Sequence, residues 1–250
     1  MPDALGAALA TPGLVWLCAA IAIAGLVRGF TGFGTALIFV PVAGIFLPPT
    51  SVVGIMALTG MISSAALLPR AWSQADRLDV GVLAAAALVT VPLGLSLMTR
   101  LDIEVVRWVV AAVASVTLMA LVTGWRFSGR VSRPAMLAIG AAAGIVGGLT
   151  GLTGPVVILF YLTGRALAQT VRANTILFLA ILDLVLVVNL LLRGALDLRL
   201  AAIGGVLSVP YLVTSLLGQA LFHPDLERAY RALAYGVIAL AVLSGLPLWS

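Results

Sequence analysis

Gly25-Leu-Val-Arg-Gly-Phe-Thr-Gly-Phe-Gly34 and Gly144-Ile-Val-Gly-Gly-Leu-Thr-Gly-Leu-Thr153 are two copies of one glycine-threonine pattern, set 119 residues apart in a chain made almost wholly of apolar segments. A glycine inside a helix costs about 1 kcal/mol relative to alanine, so neither copy stabilises the segment it interrupts. The pairing predicts a duplicated polytopic membrane protein whose helices break at a central site.

Composition supports that reading. Of the 250 residues, 62% are hydrophobic and 9% charged, and the mean hydropathy is +1.21. An average soluble chain is about a quarter charged, so this one has too little polar surface to clothe a soluble domain. Residues 1–250 are expected to form a single all-α membrane domain, with internal repeats over about 12–124 and 135–249. The first positive residue, Arg28, lies well inside the apolar region. The N-terminal stretch therefore lacks the basic start of a signal peptide and is expected to belong to the mature protein. Cys18 is the only cysteine, which excludes an intramolecular disulfide or a Cys-only metal cluster. His223 is the only histidine and sits in a polar loop, so neither a metal nor a cofactor is expected. The net charge of +5 comes from arginines spread over short loops without aromatic interleaving, a pattern that does not fit a nucleic-acid partner.

Apolar runs fall near 12–27, 35–47, 51–68, 80–98, 105–124, 135–147, 154–163, 172–192, 200–220 and 232–248. A bilayer crossing needs about 20 residues, and four runs are too short. They are the halves flanking the two glycine patterns. Arginine in short loops favours the cytoplasmic side. If each broken segment is a re-entrant hairpin, the loops with Arg70/Arg77, Arg126/Arg130/Arg133, Arg165/Arg172 and Arg228/Arg231 lie inside and those with Arg100/Arg107 and Arg193/Arg199 outside, nine arginines against four. If each broken segment crosses once, the bias nearly vanishes. The sequence thus predicts two inverted repeats, each a broken hairpin plus three transmembrane helices, with both termini outside. Other paired markers keep the same order. Leu78-Asp79 precedes Val91-Pro92 as Leu196-Asp197 precedes Val209-Pro210, and Asp102-Ile-Glu104 is echoed by Asp225-Leu-Glu227. These acids stand at helix starts, where free amides and the helix dipole favour a carboxylate.

A helix broken inside a bilayer exposes polar backbone that hydrocarbon cannot satisfy, so the break must meet water, protein or substrate. Paired breaks of this kind mark substrate sites in duplicated transporters. The second halves are expected to begin near Thr35 and near Pro155, with the amides of Thr31 to Thr35 and Leu152 to Gly154 pointing into a cavity suited to an oxyanion. Candidate substrate-binding residues are Arg28, Gly29, Thr31, Gly32, Gly34 and Thr35 from the first copy and Gly148, Thr150, Gly151, Thr153 and Gly154 from the second. The competing explanation for the glycines is close helix packing. Arg28 is the one basic residue within an apolar segment, and its burial requires a wet cavity, an anion or a partner such as Asp183. Asp183 is the only acid within a full span and is the candidate for proton coupling. Asn174, near the start of the same helix, is a further cavity candidate, whereas Asn189 is expected to bond a neighbouring helix. Gln219 and Thr90 are read as packing residues, and Trp72, Trp108, Trp125 and Trp249 as an interfacial belt.

At Arg28-Gly-Phe-Thr-Gly-Phe-Gly34 running into Pro41, and Gly147-Gly-Leu-Thr-Gly-Leu-Thr-Gly-Pro155 running into Tyr161, the chain resembles the TauE/SafE-type sulfite and organosulfonate exporter family of bacterial membrane permeases. The likeness covers essentially the whole chain. It implies passage of sulfur-containing anions across the inner membrane. Many members carry a triple glycine where this chain has Gly32-Phe-Gly-Thr35 and Gly151-Leu-Thr-Gly154, a departure that weakens the carry-over to sulfite itself, while the Arg28-Gly-Phe30 form resembles the branch associated with organic sulfonates or carboxylates.

The function expected is a secondary transporter moving a small sulfur-containing or organic oxyanion, such as sulfite, sulfoacetate or a related sulfonate or carboxylate, either coupled to the proton gradient or running down the substrate gradient. An anion channel using the broken helices as a filter is the alternative. Enzymatic chemistry is disfavoured, since neither a Ser/His/Asp set nor paired membrane carboxylates occur, and a scaffold would not need paired breaks. The expected partners are the lipid bilayer and a small anion, with a homo-oligomer left open.

Overall fold

The structure, a computed structural model, describes residues 2–31, 34–124, 132–161, 168–221, 223 and 227–247. Among them the regular structure is all helical: α1 (Pro2–Leu9), α2 (Leu14–Thr31), α3 (Thr35–Phe46), α4 (Pro49–Gln74), α5 (Arg77–Arg100), α6 (Ile103–Val122), α7 (Arg133–Thr150), α8 (Pro155–Tyr161), α9 (Ala168–Leu192), α10 (Leu198–Ala220) and α11 (Glu227–Gly245). Five of them, α5, α6, α7, α9 and α10, hold stretches long and apolar enough to cross a bilayer. Large apolar side chains cover the outside, with Val15 79% and Leu192 82% exposed, as a lipid-facing surface demands. The ten apolar runs correspond to α2 through α11, while α1, which packs on α10, was not foreseen.

The breaks lie later than expected. The glycine patterns are helical up to Thr31 and Thr150, so α2 and α7 are 18 residues each, against 12 for α3 and 7 for α8. At 1.5 Å per residue the two long legs reach about 27 Å; only the returning legs are short. The reason is packing. A Cβ on Gly29 would meet the Ser215 carbonyl oxygen at 2.5 Å and Gly218 Cα at 2.7 Å, and one on Gly148 would meet the Val91 oxygen at 2.6 Å and Gly94 Cα at 3.1 Å. Gly25 and Gly144 likewise lie against Tyr211 and Thr214 of α10 and against Ala87 and Thr90 of α5. In lipid, helices associate through close van der Waals approach rather than hydrophobic burial, so these glycines form the seams α2–α10 and α5–α7. A left-handed glycine stands at each break, Gly34 (φ 99°) before α3 and Gly151 (φ 75°) after α7, where a side chain would be strained.

Both broken units fold back. Gly13, just before α2, lies under the ring of Phe46 at the end of α3, so the first unit leaves where it enters. For the second, α7 starts beside α5, where Arg133 acts electrostatically on Asp79, and α9 starts at the same end, where the Asp76 amide donates to Asn174 Oδ1 at 2.7 Å. The far ends of α5 and α9 are joined by Arg193, which donates to the Pro92 carbonyl at 2.8 Å and to Ser96 Oγ at 2.9 Å. Between the units, α4 and α9 cross antiparallel: Gly54 faces Leu190 and Gly60 faces Asp183. Further pairings join α3 to α11, α6 to α8, α4 to α10 and α5 to α9. Helix starts are capped by Asp76, which accepts from the amides of Leu78 and Asp79, and by Asp197, which accepts from Leu200 at 2.7 Å. Asp79, expected at the boundary, sits one turn inside. Asp102 caps α6 without a side-chain hydrogen bond.

Candidate functional site

One cavity gathers the breaks and both intramembrane charges. It encloses about 40 Å³, room for a few waters, and is lined by Arg28 of α2, Gly34, Thr35 to Leu37 of α3, Met56, Thr59, Gly60 and Ser64 of α4, Thr153 to Pro155, Ile158 of α8, Leu179 and Asp183 of α9, and Tyr211 of α10. The first turn of α3 supplies Thr35, Ala36 and Leu37, whose amides precede the first intrahelical bond, Ile38 N–H to the Gly34 carbonyl. Such amides carry the positive end of the helix dipole. Thr35 Oγ1 shares a hydrogen bond with the Tyr211 hydroxyl at 3.3 Å, tying the hairpin to α10. Thr59 spends its proton on its own helix, donating to the Ile55 carbonyl at 2.8 Å, and presents an acceptor.

The two charges face each other without joining. Arg28 is half-buried and acts electrostatically on Asp183, which is 5% exposed. Among the described residues neither forms an ion pair. Asp183 fits against α4 because residue 60 is glycine; a Cβ there would collide with the carboxylate. A guanidinium in a nonpolar span needs an acceptor; here it lines the cavity together with the first turn of α3, whose amides are donors like itself.

Of the residues singled out from the sequence, Arg28, Gly34, Thr35, Thr153, Gly154 and Asp183 meet in this cavity. Gly29 and Gly148 lie in the helix seams instead. Thr150 donates to the Val146 carbonyl at 2.6 Å and lines a separate cavity beside Arg107. Gly151 turns the chain against Val40 and Val53. Asn174 is buried against the Asp76 backbone, at the end of the bundle. Thr31 closes α2, and Gly32 lies outside the described residues, as do Arg126, Arg130, Arg165, Trp125 and Trp249. The amides of Leu152 and Thr153 are not free: they donate to Thr150 Oγ1 at 3.1 Å and to the Gly151 carbonyl at 3.0 Å. Asn189 bonds the Val185 carbonyl of its own helix rather than a neighbour.

Sequence reasoning missed Thr59, Gly60, Ser64 and Tyr211. Their signal was a Thr-Gly and a Ser-Ser pair one turn apart inside the apolar run of α4, and a tyrosine next to Pro210.

The arrangement suits a small anion: one cation, a helix start, several hydroxyls, and a carboxylate that competes for the cation. Among the described residues no cluster of metal-ligating side chains occurs. No curated protein and no solved structure matches the chain. The family described as Sulfite exporter TauE/SafE matches residues 17–245, nearly the whole length of this multi-helix chain. The protein therefore belongs to the TauE/SafE sulfite exporter family of membrane transporters.

Proposed function

We propose that the chain is a proton-coupled secondary transporter of a small sulfur-containing or organic oxyanion across the bacterial inner membrane, with the Arg28–Asp183 cavity as its substrate site. The observation that carries this reading is the unjoined pair of opposite charges in one cavity. An oxyanion at Arg28 and an ionised Asp183 compete for one guanidinium. Protonating Asp183 removes the competition, so anion and proton occupy the cavity together.

Two inverted repeats, α2–α6 and α7–α11, are part of the proposal. Exchanging each helix with its counterpart carries the seam α2–α10 onto α7–α5, α3–α11 onto α8–α6 and α10–α4 onto α5–α9, and leaves α4–α9 paired with itself. The antiparallel crossing of α4 and α9 is what inversion requires. Taken with the arginine bias, the proposal has both termini outside.

The test begins with purified protein and a thermal-shift screen against sulfite, sulfoacetate, taurine, sulfate and short carboxylates. A true ligand at a hundred times its Kd stabilises by about 2.7 kcal/mol. In vesicles, Asp183→Asn should abolish accumulation driven by a pH gradient while preserving substrate exchange. Unchanged pH-driven uptake in that variant refutes the coupling role, and a screen and flux assay blank for every oxyanion refutes the substrate class.

A further inference from the structure

A second cavity, of about 20 Å³, is bounded by Val40 and Gly44 of α3, Val52 of α4, Arg107 of α6, Thr150 of α7 and Gly245 of α11. Apart from Arg107 and Thr150 its wall is apolar, and among the described residues it carries no acid. Arg107 is half-buried here, and its Nε is enclosed by protein with no hydrogen-bond partner. A guanidinium N–H shielded from water and left without an acceptor is unusual, because buried donors are almost always satisfied. Thr150 does not satisfy it: its hydroxyl proton goes to Val146 and its oxygen accepts from Leu152.

The two cavities are consecutive along the same helices. On α3, residues 35–37 line the first and residues 40, 41 and 44 the second; on α4, residues 56–64 line the first and residues 49 and 52 the second. Roughly one helical turn separates them on each helix. The partition is the turn after α7. Thr150 faces the Arg107 side, Thr153 and Gly154 face the Arg28 side, and Leu152 between them is wholly buried. Gly151 seats this turn against Val40 and Val53.

We infer that the Arg107 cavity is a second oxyanion-binding station on one path with the Arg28 cavity, serving the membrane face on which α3 ends and α4 begins, with the Thr150–Thr153 turn as the barrier between them. The station takes a monoanionic sulfonate or carboxylate on the Arg107 guanidinium, which lines it. Its place on a path rests on the transport reading; its anion preference does not.

The experiment separates the two. Gly44 lines the cavity, and an added Cβ there meets no heavy atom within 4 Å. In a Cys18→Ala, Gly44→Cys protein, the rate of modification by a sulfonate-bearing methanethiosulfonate is compared with that of a trimethylammonium-bearing one. The anionic reagent should react about tenfold faster. Arg107→Gln should erase the preference and Arg107→Lys should keep it. Equal rates with Arg107 in place overturn the anion station. In vesicles loaded with radiolabelled sulfoacetate, or with whichever oxyanion the screen identifies, Arg107→Gln should raise the half-saturation concentration about tenfold from the Gly44 face and less than twofold from the other. Equal effects on both faces, or none, overturn its place on the path. If no oxyanion moves at all, the transport reading falls and the path with it, while a persistent reagent preference still upholds the anion station.

Discussion

The two helix breaks derive from matching sequence patterns and do different work. At the first, α2 ends at Thr31, about one turn past Arg28, Gly34 turns the chain, and the first turn of α3 lines the cavity. At the second, Gly151 turns the chain immediately after α7, and the amides of Leu152 and Thr153 are consumed within the turn. Where the first copy has Arg28 the second has Gly147, which faces Thr153 and Leu182. The first break offers donors and charge; the second is a closed plug. If the two halves are repeats, as proposed above, the chemistry is expected at the positions where the copies differ, Arg28 against Gly147 first among them.

The largest expected effect breaks the comparison directly. Arg28→Gln should weaken oxyanion binding ten- to a hundredfold, the loss of a charge-assisted contact worth about 1.5–3 kcal/mol. Adding Gly147→Arg should not restore it, because residue 147 does not line the cavity. Recovery of affinity in a titration of the double variant would show the breaks to be interchangeable. Next come the seams. Gly29→Ala and Gly148→Ala each force a methyl into a neighbouring backbone, at a cost of about 1–3 kcal/mol. Thermal melts should fall by several degrees with affinity changed less than twofold. Lost affinity at an unchanged melting temperature would return both glycines to the binding site. Smallest are the turns themselves. Gly34→Ala and Gly151→Ala meet no atom closer than 3.4 Å, so the cost is the left-handed backbone alone, about 1–2 kcal/mol. If the breaks differ in role, Gly34→Ala should also lower affinity, while Gly151→Ala should alter transport rate without changing equilibrium binding.

Helix content and the ten helices α2 to α11 were legible because a bilayer imposes length and apolarity on every segment that crosses it. Where the helices break was less so. Glycine reads locally as a helix breaker, yet Gly25, Gly29, Gly144 and Gly148 stay helical because α10 and α5 lie in the grooves they open, and those partners are distant in sequence. The same blindness explains Asn174, whose polar side chain serves the Asp76 backbone 98 residues away. Arg28 and Asp183 stood out because charge inside an apolar span is expensive wherever it points. Tyr211 and Gly60 did not, since a tyrosine and a glycine are unremarkable in a membrane helix until the hydroxyl is seen on Thr35 and the missing side chain is seen to hold a carboxylate.

Pro41 lies within α3 at the level where the Arg28 cavity gives way to the Arg107 cavity. Proline carries no amide hydrogen, so the Leu37 carbonyl has no helical donor, and the ring crowds the turn before it. Mechanically, α3 is two levers joined at a soft joint rather than one rod. The first turn, which lines the Arg28 cavity, is free to tilt while the remainder stays clamped against Gly245, whose missing side chain lets α11 press on the Pro41 backbone. Pro41 therefore concentrates the compliance of α3 itself, and a stiffer residue there would be felt in turnover before it was felt in binding.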